Sequence, residues 1–477
     1  MQKPGFQFLW KLQLNNQAKQ LNSLTPAVLL DRYIGYRGFR SLGFVGGSSD
    51  SIFAIDTDLA RMEWEKQFSS GSPQRAGSPA CPGGMTANVT RPTVAAFPTA
   101  PAGRFGGGFG RGGPARSAVG KPDEGAAILS EPSAAPGGGG FPGPPGGPPR
   151  PGAAGAPGGP GGPGGPFGGF RREPSVVFAL SGDGMLHKMY VSNGVDAEPP
   201  VRFLPPDANA HGLIVVDNVA YTATTQGCGG VANGVWALDL ASGQVTAWKS
   251  NGGGVSGSSG AAIGPDGTLY LATGEGELVA LEPKTLKMKD RYSPGRQEFT
   301  SSPVVFEFKG KTLIAATTKD GRIHLLDSAN LGGADHQTPL FKTPANSNPS
   351  DFVPGALASW QDSSGTRWVL TAAAGAIVAW KAVDLNGAPA LERGWVSREM
   401  VSPLPPMIVN GVVFAVSGGS SRALLYALDA TTGKELWNSG NAIASSVRSG
   451  GLSAGGSQLY VGAHDGTLYA FGFPIEH

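Results

Sequence analysis

Side chains that do chemistry are sparse in this chain. Of 477 residues, six are His and two are Cys. His187, His324, His336 and His464 share no metal-ligand spacing. Cys81 and Cys228 lie far apart, with no metal-type pattern around them. The string GGGVSGSSG at 252–260 precedes no helical pattern, so it cannot form a dinucleotide loop. Asn88-Val89-Thr90 matches a glycosylation sequon but falls in a stretch that reads as buried strand. What remains is a set of cations: Arg91, His211 and Arg448. Converging on one cavity, they would hold an anion or a polar ligand. Solvated singly, or paired with loop carboxylates, they would hold nothing. The elements that carry them decide which.

Those elements must be short. Gly (76) and Pro (40) are far above ordinary usage. The excess is concentrated, with 41 of the 70 residues at 101–170 being Gly or Pro. That segment carries five Lys or Arg against three Asp or Glu; the rest carries 32 of each sign. No basic face is visible, which argues against a nucleic-acid partner. No apolar run reaches the roughly 18 residues of a membrane helix. The first ten residues lack the apolar core and cleavage site of a signal peptide, so the start is expected to be internal to a longer gene product.

One template recurs eight times. An apolar strand is followed by a Gly-containing turn, a second apolar strand ending in Asp, another Gly turn, and often Trp. Copies begin at residues 44, 178, 221, 270, 314, 369, 414 and 460. From 178 onward the step is near 45, and the single long step spans the Gly/Pro tract. Short strands at that period imply a β-propeller. Before each copy lies another apolar strand, so each unit supplies four antiparallel strands, A to D from the axis outward. The last copy stops after strand C, and residues 6–14 (FQFLWKLQL) are an isolated strand. That strand is expected to complete the last blade and close the ring. The predicted fold is all-β: one eight-bladed propeller over 1–98 and 173–477.

The copies LYALDATTGKELW (425–437), VWALDLASGQVTAW (235–248) and YVGAHDGTLYAF (460–471) resemble the repeat of the pyrroloquinoline quinone (PQQ) enzyme family. The resemblance covers all but the Gly/Pro tract. It implies the propeller fold and spans two kinds of activity. PQQ- and calcium-dependent alcohol or sugar dehydrogenases are one. Non-enzymatic propellers, such as the lipoprotein of the outer-membrane β-barrel assembly machinery, are the other. The dehydrogenase pattern departs here: no adjacent cysteines, no Cys-X-X-Cys-His haem site, and no matching motif for the calcium ligands or the catalytic Asp. The repeated Trp10, Trp64, Trp248, Trp395 and Trp437 read as packing between blades. Asp56, Asp239, Asp327 and Asp429 read as turn caps.

Residues 99–172 read as a disordered insertion with local polyproline II. With Thr86–Phe97 as strand A of blade two and 176–182 as its strand B, the insertion is an expanded A–B loop. Antiparallel strands put D–A and B–C loops on one face and A–B and C–D loops on the other. Cys81 (D–A loop, blade two) and Cys228 (B–C loop, blade three) share the first face, so either a disulfide or two buried thiols fits. A disulfide would imply an oxidising compartment, and the resemblance implies the periplasm. The starts of the strands A should line an axial mouth on the same face, at Leu24-Thr25, Thr90-Arg91, Ala210-His211, Ser256–Ser259, Thr300–Ser302, Val353-Pro354, Ser402-Pro403 and Ser446–Arg448. The function expected is a monomeric, non-catalytic binding or scaffolding module of a bacterial envelope, without metal, taking an envelope protein or a small anionic ligand at Arg91, His211 and Arg448. The alternative is a dehydrogenase with PQQ and calcium.

Overall fold

The computed structural model describes residues 5–19, 22–35, 38–68, 78, 80–93, 175–295, 297–345, 355–373, 375–419, 421–448 and 451–474. Backbone contacts place Met1–Ala127 and Val176–His477 in one unit; the other, Ile128–Ser175, lies almost wholly outside the described residues. The insertion expected at 99–172 and the mouth residues Val353 and Pro354 also lie outside them.

Eight sheets form the blades of a propeller. Blade one is Val28–Gly35, Gly38–Gly47, Ser51–Asp56 and Arg61–Gln67, in that order across the sheet. Blades three to seven repeat the four-stranded meander, and their second strands begin at Val219, Leu269, Lys311, Arg367 and Val412. Every sequence copy thus supplies a strand B. These strands are buried on both faces, because a blade is covered on each side by its neighbours. Separate apolar clusters fill the gaps between blades; one joins Ala358, Leu370 and Trp395 of blade six to Val413, Leu428 and Ala430 of blade seven.

The ring is closed by the N-terminus. Gln7–Gln13 pairs antiparallel with Thr467–Gly472, giving blade eight its fourth strand. Trp10 packs on Tyr460 of the same sheet, while Phe6 reaches Phe414 and Trp437 of blade seven.

Blade two departs from the expected pattern. Of the expected strand A, Thr86–Phe97, residues 86–93 are described. Only Thr90 bridges to Phe178, and Pro92–Thr93 turns away to pair in parallel with Val215–Val216 of blade three. The sheet itself has three strands, Val176–Leu180, Met185–Tyr190 and Val201–Arg202. Pro92 has no N–H to give a ladder, which favours departure at that point.

The turn residues act as their types dictate. Asp429 Oδ1 accepts the N–H groups of Thr431 and Thr432, and Asp239 Oδ1 those of Ala241 and Ser242. Both carboxyls are held below the usual range, Asp429 first by the Thr431 hydroxyl and then by these turn bonds, Asp239 first by the Ser242 N–H. Gly243 and Gly433 follow at φ 70° and 71°.

Candidate binding mouth

The mouth on the D–A and B–C face is stitched together by its own hydroxyls. Thr86 Oγ1 accepts the N–H of Ala210 at 2.9 Å, joining the entry to blade two with blade three. Ser256 Oγ donates to Phe299 O at 2.7 Å, and Ser302 Oγ accepts the N–H of Ser259 at 3.1 Å, joining blades four and five. Ser301–Ser302 then pairs in parallel with Gly355–Ala356. Thr86, Ser256 and Ser302 thus use their hydroxyls to hold neighbouring blades, while Thr25, Thr300 and Ser301 bond within their own.

On the rim, a disulfide links Cys81 to Cys228 with Cα atoms 5.5 Å apart. It ties the loop entering blade two to the B–C turn of blade three. Asp50 ties blade one to the same region. Its Oδ1 accepts the N–H of Gly182 at 2.7 Å, and Gly182 O accepts the N–H of Asp207. Gly84 fits under this junction: a Cβ there would stand 2.1 Å from Ser48 O. Asp50 is 1% exposed, and its Oδ2 has no hydrogen-bond partner. Burial pushes its carboxyl up to about 6; Asp183 and Asp207 push the same way, and the Gly182 N–H and Lys19 oppose.

Arg91, His211 and Arg448 stand at different heights. Thr90 pairs with Phe178, the first residue of its repeat copy, so Arg91 lies one row beyond it toward the A–B face. His211 pairs with Ala223, two rows on the other side of the equivalent Tyr221. Three rows at about 3.3 Å each separate Arg91 from His211 by about 10 Å along the strands. Arg91 reaches Leu29 O of blade one at 3.5 Å. His211 is half-buried, and burial lowers its imidazole to about 4, so it is neutral at physiological pH. Arg448 is exposed on the loop that enters blade eight, outside the ladder. The register thus does not set them side by side in one ring. Arg448 sits at the rim, His211 lies deeper, and Arg91 deeper still.

Two histidines that showed no ligand spacing occupy built polar clusters. His187 stands between Ser181 Oγ (3.2 Å) and Asp196 Oδ1 (3.1 Å), the order of a hydrolase triad. However, Ser181 also bonds Asp183 Oδ1, so its one proton has a carboxylate to go to instead of the imidazole. Blade five repeats the unit: Thr318 bonds Asp320 and His324, with Tyr292 where blade two has Asp196. Ser181-Gly-Asp-Gly-Met-Leu-His187 and Thr318-Lys-Asp-Gly-Arg-Ile-His324 share one spacing, a signal legible in the sequence. Recurrence with a phenol in the acid's place identifies a hairpin packing unit. Burial lowers both imidazoles, that of His324 to about 4.

Residues 233–472 match the family described as outer membrane protein assembly factor BamB. That span is half of the chain, and the chain belongs to this family of PQQ-repeat propellers. Among solved structures it is similar to BamB from Moraxella catarrhalis, at 10% identity and TM-score 0.51, over 98% of this chain and 100% of that one. It is also similar to the quinohemoprotein alcohol dehydrogenase from Comamonas testosteroni, at 13% identity and TM-score 0.55, over 99% of this chain and 77% of that one. The computationally designed Ika8 protein matches at 11% identity and TM-score 0.54, over 96% and 99%. No curated protein matches the sequence. At these identities the structural likeness is one of fold.

Among the described residues, no three His, Cys, Asp or Glu side chains are grouped so as to hold a metal ion. The mouth hydroxyls already serve backbone groups, and the disulfide bridges loops of two blades instead of adjacent cysteines. Among the described residues, no helix is long and apolar enough to cross a membrane.

Proposed function

We infer that the chain is a non-catalytic binding propeller of a bacterial envelope, which receives an envelope protein at the D–A and B–C mouth. The observation that carries this reading is the commitment of the mouth's polar groups to blade-to-blade bonds. Ser256, Ser302 and Thr86 tie neighbouring blades together at the mouth, a structural use of groups that line it. Arg448 projects from that rim and is the first contact for an acidic segment of the partner, with His211 and Arg91 further in. The family description supports a partner drawn from outer-membrane protein assembly. The Cys81–Cys228 disulfide supports an oxidising compartment such as the periplasm.

Site-specific photo-crosslinking in the cell tests this. A crosslinker at Arg448 should give a discrete adduct with an envelope protein, and one at the exposed Asn386, in the C–D turn of blade six, should not. Adducts of equal yield from both positions, or none from position 448, would overturn the reading.

A further inference from the structure

The chain holds five Asn-Gly pairs, at 193, 233, 251, 386 and 410. Such a pair can lose ammonia without an enzyme. The backbone nitrogen of Gly attacks the side-chain carbonyl carbon of Asn, and a five-membered ring closes. The C–N bond to the side-chain amide breaks, and the Gly N–H proton leaves with that nitrogen as ammonia. Water then opens the ring to aspartate or isoaspartate. The reaction needs a Gly N–H without an acceptor and an Asn side chain able to turn onto it.

Four of the five pairs are held. Gly194 donates its N–H to Tyr190 O at 2.9 Å, and Asn193 Oδ1 accepts the N–H of Val195. Asn233 uses both ends of its amide, accepting the N–H of Gly227 at 2.8 Å and donating to Gly252 O at 2.6 Å. Gly387 donates its N–H to Asp384 Oδ1 at 2.7 Å. Asn410 is fixed at φ 49° in a two-residue turn closed by Val409 and Val412. Asn251 differs. It and Gly252 are exposed in the loop that leads from Val245–Lys249 into blade four, on the mouth face. Among the described residues, neither the Asn251 side chain nor the Gly252 N–H has a hydrogen-bond partner. Glu275, in the B–C turn of blade four, rests on Gly252, where a Cβ would stand 1.8 Å from its Oε1.

We propose that Asn251 is a self-modifying site, which the fold leaves free to convert to aspartate and isoaspartate while it protects the other four. The isoaspartyl product routes the chain through the side chain and adds one carbon to the loop backbone. It does so where Asn233 Nδ2 holds Gly252 O and Ser250 Oγ donates to Gly253 O. It also sets a new carboxylate beside the residue on which Glu275 rests. Both effects loosen this loop and leave the blade ladders intact. The proposal does not depend on what the mouth binds.

Incubation of the folded full chain in mildly alkaline buffer, followed by peptide mass mapping, tests it. Conversion of amide to acid at Asn251 should run about tenfold or more faster than at the other four Asn. The product should accept a labelled methyl group from an isoaspartyl methyltransferase supplied with S-adenosylmethionine. Gly252→Ala crowds the ring closure and displaces only the exposed end of Glu275, so it should slow conversion about tenfold. In denaturant the preference for Asn251 should vanish. Equal rates at all five sites of the folded chain, a preference that persists in denaturant, absence of the methyl label, or an undiminished rate in Gly252→Ala would each overturn the proposal.

Discussion

The indole of Trp395, on strand D of blade six, lies across Gly433 in the C–D turn of blade seven. It donates its Nε1–H to Ala430 O at 2.9 Å. Trp64 repeats the arrangement between blades one and two, over Gly194 and onto Val191 O. Each such ring covers a seam between blades and satisfies its own polar atom. A Cβ on Gly433 would stand 2.3 Å from the Trp395 ring, whereas one on Gly243, at nearly the same φ, meets nothing within 4 Å. Gly243→Ala should therefore cost only the left-handed backbone term, about 1–2 kcal/mol. Gly433→Ala should cost about 2–4 kcal/mol by adding the clash. Denaturant unfolding of the two variants measures the difference, and equal losses would refute the seam account.

Closure by the N-terminal strand carries its own prediction. Deleting residues 1–14 strips the outer edge of blade eight, removes the buried Leu14, and takes Phe6 away from Phe414. The loss should be several kcal/mol, with a clearly lower Tm. A truncated chain that melts like the parent would show that the ring does not need this strand.

Asp50 makes stability depend on pH in a definite sense. Its folded pKa, about 6, exceeds the unfolded value. The fold binds this proton more tightly than the unfolded chain does. The stabilisation is complete below about pH 4 and is lost as pH rises through 6, a difference of about 3 kcal/mol. Asp50→Asn keeps an oxygen for Gly182 and tolerates the φ of 61°. It should be more stable than the parent at pH 7.5 by up to about 3 kcal/mol, and nearly equal to it at pH 3. His211 and His324 titrate in the opposite sense but are common to both proteins, so the difference isolates Asp50. An Asn variant less stable at pH 7.5 would refute the buried-charge reading.

The Cys81–Cys228 link spans 147 residues of sequence. Cys81→Ala/Cys228→Ala should lower stability by about 2–4 kcal/mol through the freer unfolded chain, while far-UV circular dichroism stays that of the parent. A double variant as stable as the oxidised parent would mean that the bond does not form or does not matter.

Most of the fold was legible because each blade restates it. The eight strand-B starts, the Asp-capped turns at Asp239 and Asp429, and the outer-strand Trp residues are set by patterns a few residues long. Blade two was not legible. Thr86–Phe97 has an apolar strand pattern, yet Thr90 bridges to Phe178 while Pro92–Thr93 pairs with Val215–Val216 of the next blade, a partner distant in sequence. The heights of Arg91 and His211 were hidden for the same reason, since they follow from ladder register and from a bulge between His211 and Ile214. The burial that neutralises His211 and raises Asp50 arises from blades that are distant in sequence, so no local pattern announces it.

The most direct test of the account is a titration of the purified full chain with PQQ and calcium, followed by calorimetry and thermal shift. A binding propeller whose mouth hydroxyls are spent on structure should show no saturable binding and no rise in Tm. Stoichiometric uptake that raises the melting temperature by mass action on the native state, with dye-linked oxidation of an alcohol or a sugar, would contradict it.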